Sequence, residues 1–146
     1  MRENIDNYFL RIVEVIGSRG TCNRGKSGCI IVKDKQIIST GYVGAPSGTE
    51  HCDTVGHQLV DNHCLRSTHA EQNAIINAAR NGVSTEGSTL YCTMFPCYSC
   101  AKMIINAGIT NVVCDYDYQS SFQSKEIFNE VNIFWSLIHS DLKKYE

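Results

Sequence analysis

The chain has 146 residues, 42% hydrophobic and 19% charged, a composition that predicts one globular domain over 1–146 and excludes a disordered polymer. Thirteen Lys and Arg against 15 Asp and Glu leave a formal charge of −2, too weak a positive field to hold a nucleic acid polymer or an anionic membrane. No apolar run approaches membrane length and no amino-terminal signal pattern is read, so the eight cysteines are expected as reduced thiols in the cytoplasm, serving as metal ligands, catalytic groups or core residues.

Ile5, Tyr8, Phe9, Ile12, Val13 and Ile16 recur at helical spacing until Gly17, which predicts a first helix. Gly28 to Tyr42 reads as a hairpin, with Cys29-Ile30-Ile31-Val32 and Gln36-Ile37-Ile38-Ser39-Thr40 flanking a polar Lys33-Asp34-Lys35 turn. Gly41 to Arg66 then has no period, carries three histidines and two cysteines, and is irregular over about 25 residues, a length that in a compact domain is usually functional.

Ser67 or Thr68 is expected to cap a helix to about Arg80, burying Ala70, Ala74, Ile75 and Ala78, with Gly82 beyond its end. Thr89 to Met94 reads as a strand, Pro96 opens a helix over Cys97 to Ala107 that Gly108 ends, and Thr110 to Cys114 is a further strand. In the tail, Ser121 to Glu130 is expected as helix, Val131 to Trp135 as a last strand and Leu137 to Tyr145 as a short helix. Strands alternating with helices imply parallel crossovers and a layered α/β sandwich.

Chemistry concentrates in His69-Ala70-Glu71 and Pro96-Cys97-Tyr98-Ser99-Cys100. One histidine and two cysteines supply three zinc ligands and leave a fourth tetrahedral position for water, the arrangement of a catalytic site. His69 and Cys97 fall in first helical turns, where unpaired N–H groups and the positive helix end favour thiolate and developing oxyanion. Glu71 is close enough to exchange protons with that water without being a ligand. A thioredoxin-like redox pair or half of a structural zinc site would also contain Cys-x-x-Cys, but neither accounts for His69 and Glu71. The pair of motifs matches the His-x-Glu and Pro-Cys-x-x-Cys signature by which zinc deaminases are recognised.

Nearly the whole chain resembles the deoxycytidylate (dCMP) deaminase family of the cytidine deaminase superfamily. The resemblance is carried by Thr21-Cys22-Asn23-Arg24, Gly41-Tyr42-Val43-Gly44-Ala45-Pro46-Ser47-Gly48, His51-Cys52-Asp53, His69-Ala70-Glu71-Gln72-Asn73-Ala74-Ile75 and Pro96-Cys97-Tyr98-Ser99-Cys100-Ala101-Lys102. It implies a three-layer α/β/α fold with a mixed, roughly five-stranded sheet. It also implies hydrolysis of dCMP to dUMP and ammonia on the route to dTMP, with Glu71 carrying protons to N3 and the departing amine. Backbone N–H groups of Ala70 and of Cys97 or Cys100 would stabilise charge at the reacting carbon. Assembly as a homohexamer, activation by dCTP and inhibition by dTTP with Mg2+ are further implications.

Arg24 and Lys26 are the candidate phosphate ligands, with Tyr42, Val43, Gly44, Ala70, Tyr116 and Tyr118 as further substrate contacts. Val43 stands where the family's Gly-Tyr-Asn-Gly loop has asparagine, which opens the question of dCTP as a substrate. Cys22, Cys52, His57 and Cys64 are expected to form a second, closed zinc site that orders the irregular loop, with His51 or His63 as substitutes for one ligand. Some members of the family resemble this in carrying a second zinc. Cys29, Cys92 and Cys114 read as core residues, and His139 as a surface residue with no partner visible in sequence. Two other functions fit the same scaffold: a deaminase of bases in RNA or DNA, disfavoured by the charge, and a non-catalytic zinc-stabilised binding module, in which Glu71 has no duty.

Overall fold

The computed structural model describes residues 1–139 and 141–143. The first helix, α1 (Ile5–Gly17), begins where Asn4 Oδ1 accepts from the Asp6 and Asn7 amides, and it buries Phe9, Leu10 and Val13. Strands β1 (Gly28–Lys33) and β2 (Gln36–Tyr42) form the expected antiparallel hairpin, turning through Asp34 and Lys35 at φ of 51° and 64°. Within 41–66 lie one helical turn, α2 (Cys52–Val55), and two-residue strands β3 (Leu59–Val60) and β4 (His63–Cys64), all mostly solvent-facing. Then follow α3 (Ala70–Arg80), β5 (Thr89–Met94), α4 (Tyr98–Asn106), β6 (Asn111–Tyr118), α5 (Phe122–Glu130), β7 (Phe134–Leu137) and β8 (Leu142–Lys143).

The main sheet runs β2-β1-β5-β6-β7, with β8 added to the far end of β6. Its β1–β5 pair is antiparallel, whereas β5–β6 and β6–β7 are parallel, so the sheet is mixed. Alternation along the central strands builds the layers. Ile30, Val32, Tyr91 and Val113 pack under α1, while Cys29, Ile31, Leu90, Cys92, Val112 and Cys114 face α3, α4 and α5. The three-layer α/β/α expectation holds, and the three cysteines of the strands are fully buried as expected.

Several boundaries differ from the sequence reading, among them the end of β6, at Tyr118 and not Cys114. Thr68 exchanges backbone hydrogen bonds with Gly44, so α3 starts one residue later with His69 as its N-cap; α4 similarly starts after Cys97. The last strand begins at Phe134, because Val131 and Asn132 form a turn with Asn132 at φ 62°. No helix follows it among the described residues: the Ile138 and His139 amides donate to the Cys114 and Asp115 carbonyls, so the chain continues the β6 ladder into β8. The remainder of the expected helix, 144–145, lies outside the described residues.

Candidate metal centre

Helix α3 is pinned to the edge strand β2. Asn73 Nδ2 donates to the Tyr42 carbonyl and Asn77 Nδ2 to the Thr40 carbonyl, both at 2.8 Å, and Ser39 Oγ donates to the Ala74 carbonyl at 2.6 Å. The first turn of α3 is fixed by the His69 amide donating to Gln72 Oε1 at 3.0 Å. Across from it, α4 begins at the carboxyl end of β5, where Pro96 is buried and Cys97 is the N-cap. Two helix N-termini therefore converge on one point.

At that point His69 Nδ1 lies 3.5 Å from Cys97 Sγ and 3.3 Å from Cys100 Sγ. A zinc ion held by sulfur at about 2.3 Å and nitrogen at about 2.0 Å would set such ligand atoms about 3.5 Å apart, so the spacing fits that metal. The donor set is also right, since thiolate and imidazole favour zinc over hard cations such as Mg2+. The Cys100 thiol and N–H and the His69 ring hydrogen-bond the Cys97 sulfur and draw its pKa down to about 4 against the effect of burial, giving a thiolate ready to ligate. Because the Cys100 N–H is committed to Cys97, the Ala70 amide, first in α3, and the Cys97 amide at the N-cap of α4 remain the candidate donors to a substrate.

Glu71 is 7% exposed on the same turn of α3 as His69. Burial raises its carboxyl pKa, and the nearby His69 and the hydrogen-bonded Cys100 only partly offset this.

Glu71, His69, Ala70 and Cys97 line a cleft of about 440 Å3. Of the residues singled out in sequence as substrate contacts, Arg24, Val43, Ala70 and Tyr118 line it as well. The other four sit elsewhere. Lys26 Nζ donates to the Gly20 carbonyl at 2.6 Å and lies 3.9 Å from Asp53. Tyr42 lends its carbonyl to Asn73, Gly44 pairs with Thr68, and the Tyr116 ring stacks on His139, which reaches back from beyond β7 to Asp115 at 2.8 Å. His139 thus has the partners that the sequence did not reveal.

Among the cleft residues, sequence reasoning missed Leu65, Ser67, Ser120 and Gln123, and it offered His63 only as a substitute zinc ligand. Only the proximity of Leu65 and Ser67 to the His69 motif hinted at them. The Ser120 and Gln123 side is shaped by Asp117, which accepts from the Tyr118 amide, Ser121 Oγ and Lys125 Nζ at 2.7–2.8 Å.

A second group forms beside the cleft, with Cys22 and Cys64 in its lining. Cys22, Cys52, His57 and Cys64 bring one ligand atom each to within 4.8 Å of one another, with Cys22 Sγ 3.5 Å from His57 Nδ1 and Cys52 Sγ 3.5 Å from Cys64 Sγ. Asn23 Oδ1 accepts from His57 Nε2 at 3.0 Å, which leaves Nδ1 facing the sulfurs as a ligand lone pair must. His57, and neither His51 nor His63, completes this set. Burial opposes ionisation, yet the Gln58 N–H, His57 and Cys52 hydrogen-bond Cys64 and draw its pKa down to about 6, while burial pushes Cys52 up to about 11. Three thiols and an imidazole make a chemically complete, closed zinc set.

Residues 3–116 match the family model of the cytidine and deoxycytidylate deaminase zinc-binding region. The chain is 38% identical over 128 residues to ComE operon protein 2 of Bacillus subtilis (strain 168), covering 88% of this chain and 68% of the relative. It is 37% identical over 123 residues to the deoxycytidylate deaminase of Mycobacterium phage D29, covering 77% and 94%. Its fold superposes with a TM-score of 0.81 on the crystal structure of a dCMP deaminase from cyanophage S-TIM5 in complex with dCMP and dUMP, at 29% identity over 94% of this chain and 99% of that one.

Proposed function

The chain belongs to the family defined by the cytidine and deoxycytidylate deaminase zinc-binding region, and we propose that it deaminates dCMP, consuming water and yielding dUMP and ammonia. The observation that carries this reading is the buried Glu71 carboxyl in the cleft with His69 and Cys97, which Cys100 joins as a third donor. Those three residues would hold a zinc ion, which would supply the Lewis acidity that makes water a competent nucleophile near neutral pH.

Glu71 takes one proton of the attacking water and gives it to N3 of the cytosine as the water oxygen bonds to C4, then moves the proton of the new C4 hydroxyl to the amine nitrogen as the C4–N bond breaks and the C4 carbonyl forms. Burial raises its carboxyl pKa, which makes the carboxylate a stronger base toward the proton of the water. The Ala70 amide donates to charge developing at the reacting centre, and Tyr118 encloses the base. Arg24 takes the phosphate, as a guanidinium in the cleft wall is suited to do.

Cys22, Cys52, His57 and Cys64 hold a second, structural zinc that fixes the loop 41–66 against the cleft. In this reading residues 1–146 act as one deaminase unit that supplies dUMP for dTMP synthesis, in the cytoplasm, where its eight unpaired cysteines stay reduced. No helix among the described residues is long and apolar enough to cross a membrane. Turnover of dCTP, activation by dCTP, inhibition by dTTP with Mg2+ and a homohexamer belong to the same reading through the family resemblance, and sedimentation with and without dCTP tests the assembly.

A cleft of about 440 Å3 in a chain of net charge −2 favours a mononucleotide over RNA or DNA. Incubation with dCMP, dCTP, cytidine and a cytosine-containing oligonucleotide, followed by ammonia release, tests the choice. Release from dCMP supports it, release from the oligonucleotide alone overturns the substrate class, and no release from any leaves a binding protein.

A further inference from the structure

Arg24 and Asn62, 38 residues apart in sequence, meet in a two-point contact. Arg24 Nη1 donates to the Asn62 carbonyl oxygen and Nη2 donates to the Asn62 side-chain Oδ1, each at 2.9 Å. Asn62 follows Asp61 in the turn between β3 and β4, and the two residues have φ of 63° and 50°. Consecutive left-handed residues make the tight turn whose twist suits a hairpin, and asparagine tolerates that conformation better than other side-chain-bearing residues. Such a turn presents both Asn62 oxygens to one guanidinium.

The hairpin is not a remote ornament. The residues after Asn62, His63, Cys64 and Leu65, line the same cleft as Arg24, and Cys64 ties the hairpin to Cys52 at 3.5 Å. One end of the hairpin is therefore anchored in the sulfur cluster while its tip holds Arg24.

We infer that Asn62 is a positioning residue that fixes the Arg24 guanidinium in the cleft wall for the substrate's phosphate, and thereby sets the preference for a nucleotide over its nucleoside. The inference rests on the assignment of Arg24 as phosphate ligand. A planar guanidinium has several N–H donors in a rigid fork and can serve two partners at once. An arginine already held in place loses less rotamer freedom on meeting a phosphate, and the difference appears as substrate affinity and not as rate at C4.

The test uses the zinc-loaded full chain, with KM and kcat for dCMP and the competitive Ki of deoxycytidine, which lacks the phosphate. Asn62→Gly keeps a residue at ease with positive φ and the carbonyl contact but removes Oδ1. It is expected to raise KM for dCMP about three- to tenfold, leave kcat within about twofold and leave Ki for deoxycytidine unchanged. Asn62→Asp keeps the turn and an acceptor but sets negative charge beside the phosphate, and should raise KM for dCMP without moving Ki. In an Arg24→Ala background, Asn62→Gly should have no further effect. An unchanged KM in both Asn62 variants, or KM and Ki rising together, overturns the inference and leaves Asn62 a purely structural turn residue. Arg24→Ala with an unchanged KM refutes the phosphate assignment beneath it, and a wild-type chain that releases no ammonia from dCMP refutes the activity itself.

Discussion

Gly41 of β2 lies against Ala70 and Ala74 of α3 so closely that a Cβ at Gly41 would collide with the Ala70 carbonyl oxygen and the Ala74 amide nitrogen. The contact sits under the turn that carries His69 and Glu71. Gly41→Ala is expected to lift the start of α3 from the sheet, cost about 1–3 kcal/mol of stability and weaken zinc retention together. Denaturant unfolding and metal titration check this; wild-type values in both would show that α3 does not depend on that close approach.

Two groups of donors are each suited to one zinc ion, and the expected stoichiometry is two per chain. Cys52→Ser should leave one, held at His69, Cys97 and Cys100, and loosen the loop that carries Leu65 and Ser67 on the cleft wall. Metal analysis of wild type and variant reads the change directly. A wild-type stoichiometry of one would contradict the second site.

Asp117 supports the turn between β6 and α5, whose Tyr118, Ser120 and Gln123 line the cleft. Partial burial works against its ionisation, but hydrogen bonds from Lys125, Ser121 and the Tyr118 amide outweigh it and hold the carboxyl pKa below its usual value. A pKa lowered by folding contributes stability above the unfolded-state value, about 4, and that stability is lost as pH falls through the lower folded value. The stability advantage of wild type over Asp117→Asn should therefore be largest near neutral pH, about 1–2 kcal/mol, and close on acidification. Unfolding curves across that range measure it, and a gap independent of pH would contradict the account.

Val43 lines the cleft, and its backbone is fixed on both sides, the amide donating to the Ser27 carbonyl and the carbonyl accepting from the Thr21 amide, each at 3.0 Å. Val43→Asn therefore changes the side chain offered to the nucleotide and not the course of the loop. An amide there should tighten dCMP relative to dCTP by about three- to tenfold in kcat/KM. Competition between the two substrates in one assay reports the ratio, and no change would mean that Val43 does not set the preference.

The metal centre was legible in sequence because its chemistry is local: His69 and Glu71 share one helical turn, and Cys97 and Cys100 another. The strands were legible because alternation along Cys29 to Val32 and Leu90 to Cys92 fills two faces of one sheet. In the tail, α5 and a last strand were legible but the bounds of β7 and the path after it were not, since β7 is an edge strand with exposed Phe134 and Ser136 whose conformation is imposed by the β6 ladder and not by its own pattern. Nor could local spacing reveal Asn62 against Arg24 or Tyr116 against His139, which depend on where the loop and the tail return. Lys26 and Arg24 look alike in sequence, and only the structure directs one to Gly20 and Asp53 and the other into the cleft.

Conversion of dCMP by wild type and by Glu71→Gln, each with its zinc content measured, tests the central claim most directly. The account expects wild type to produce dUMP and ammonia in equal amounts, and the variant to retain its zinc but lose about 100- to 10,000-fold in kcat. A zinc-loaded Glu71→Gln that deaminates dCMP at the wild-type rate would contradict it.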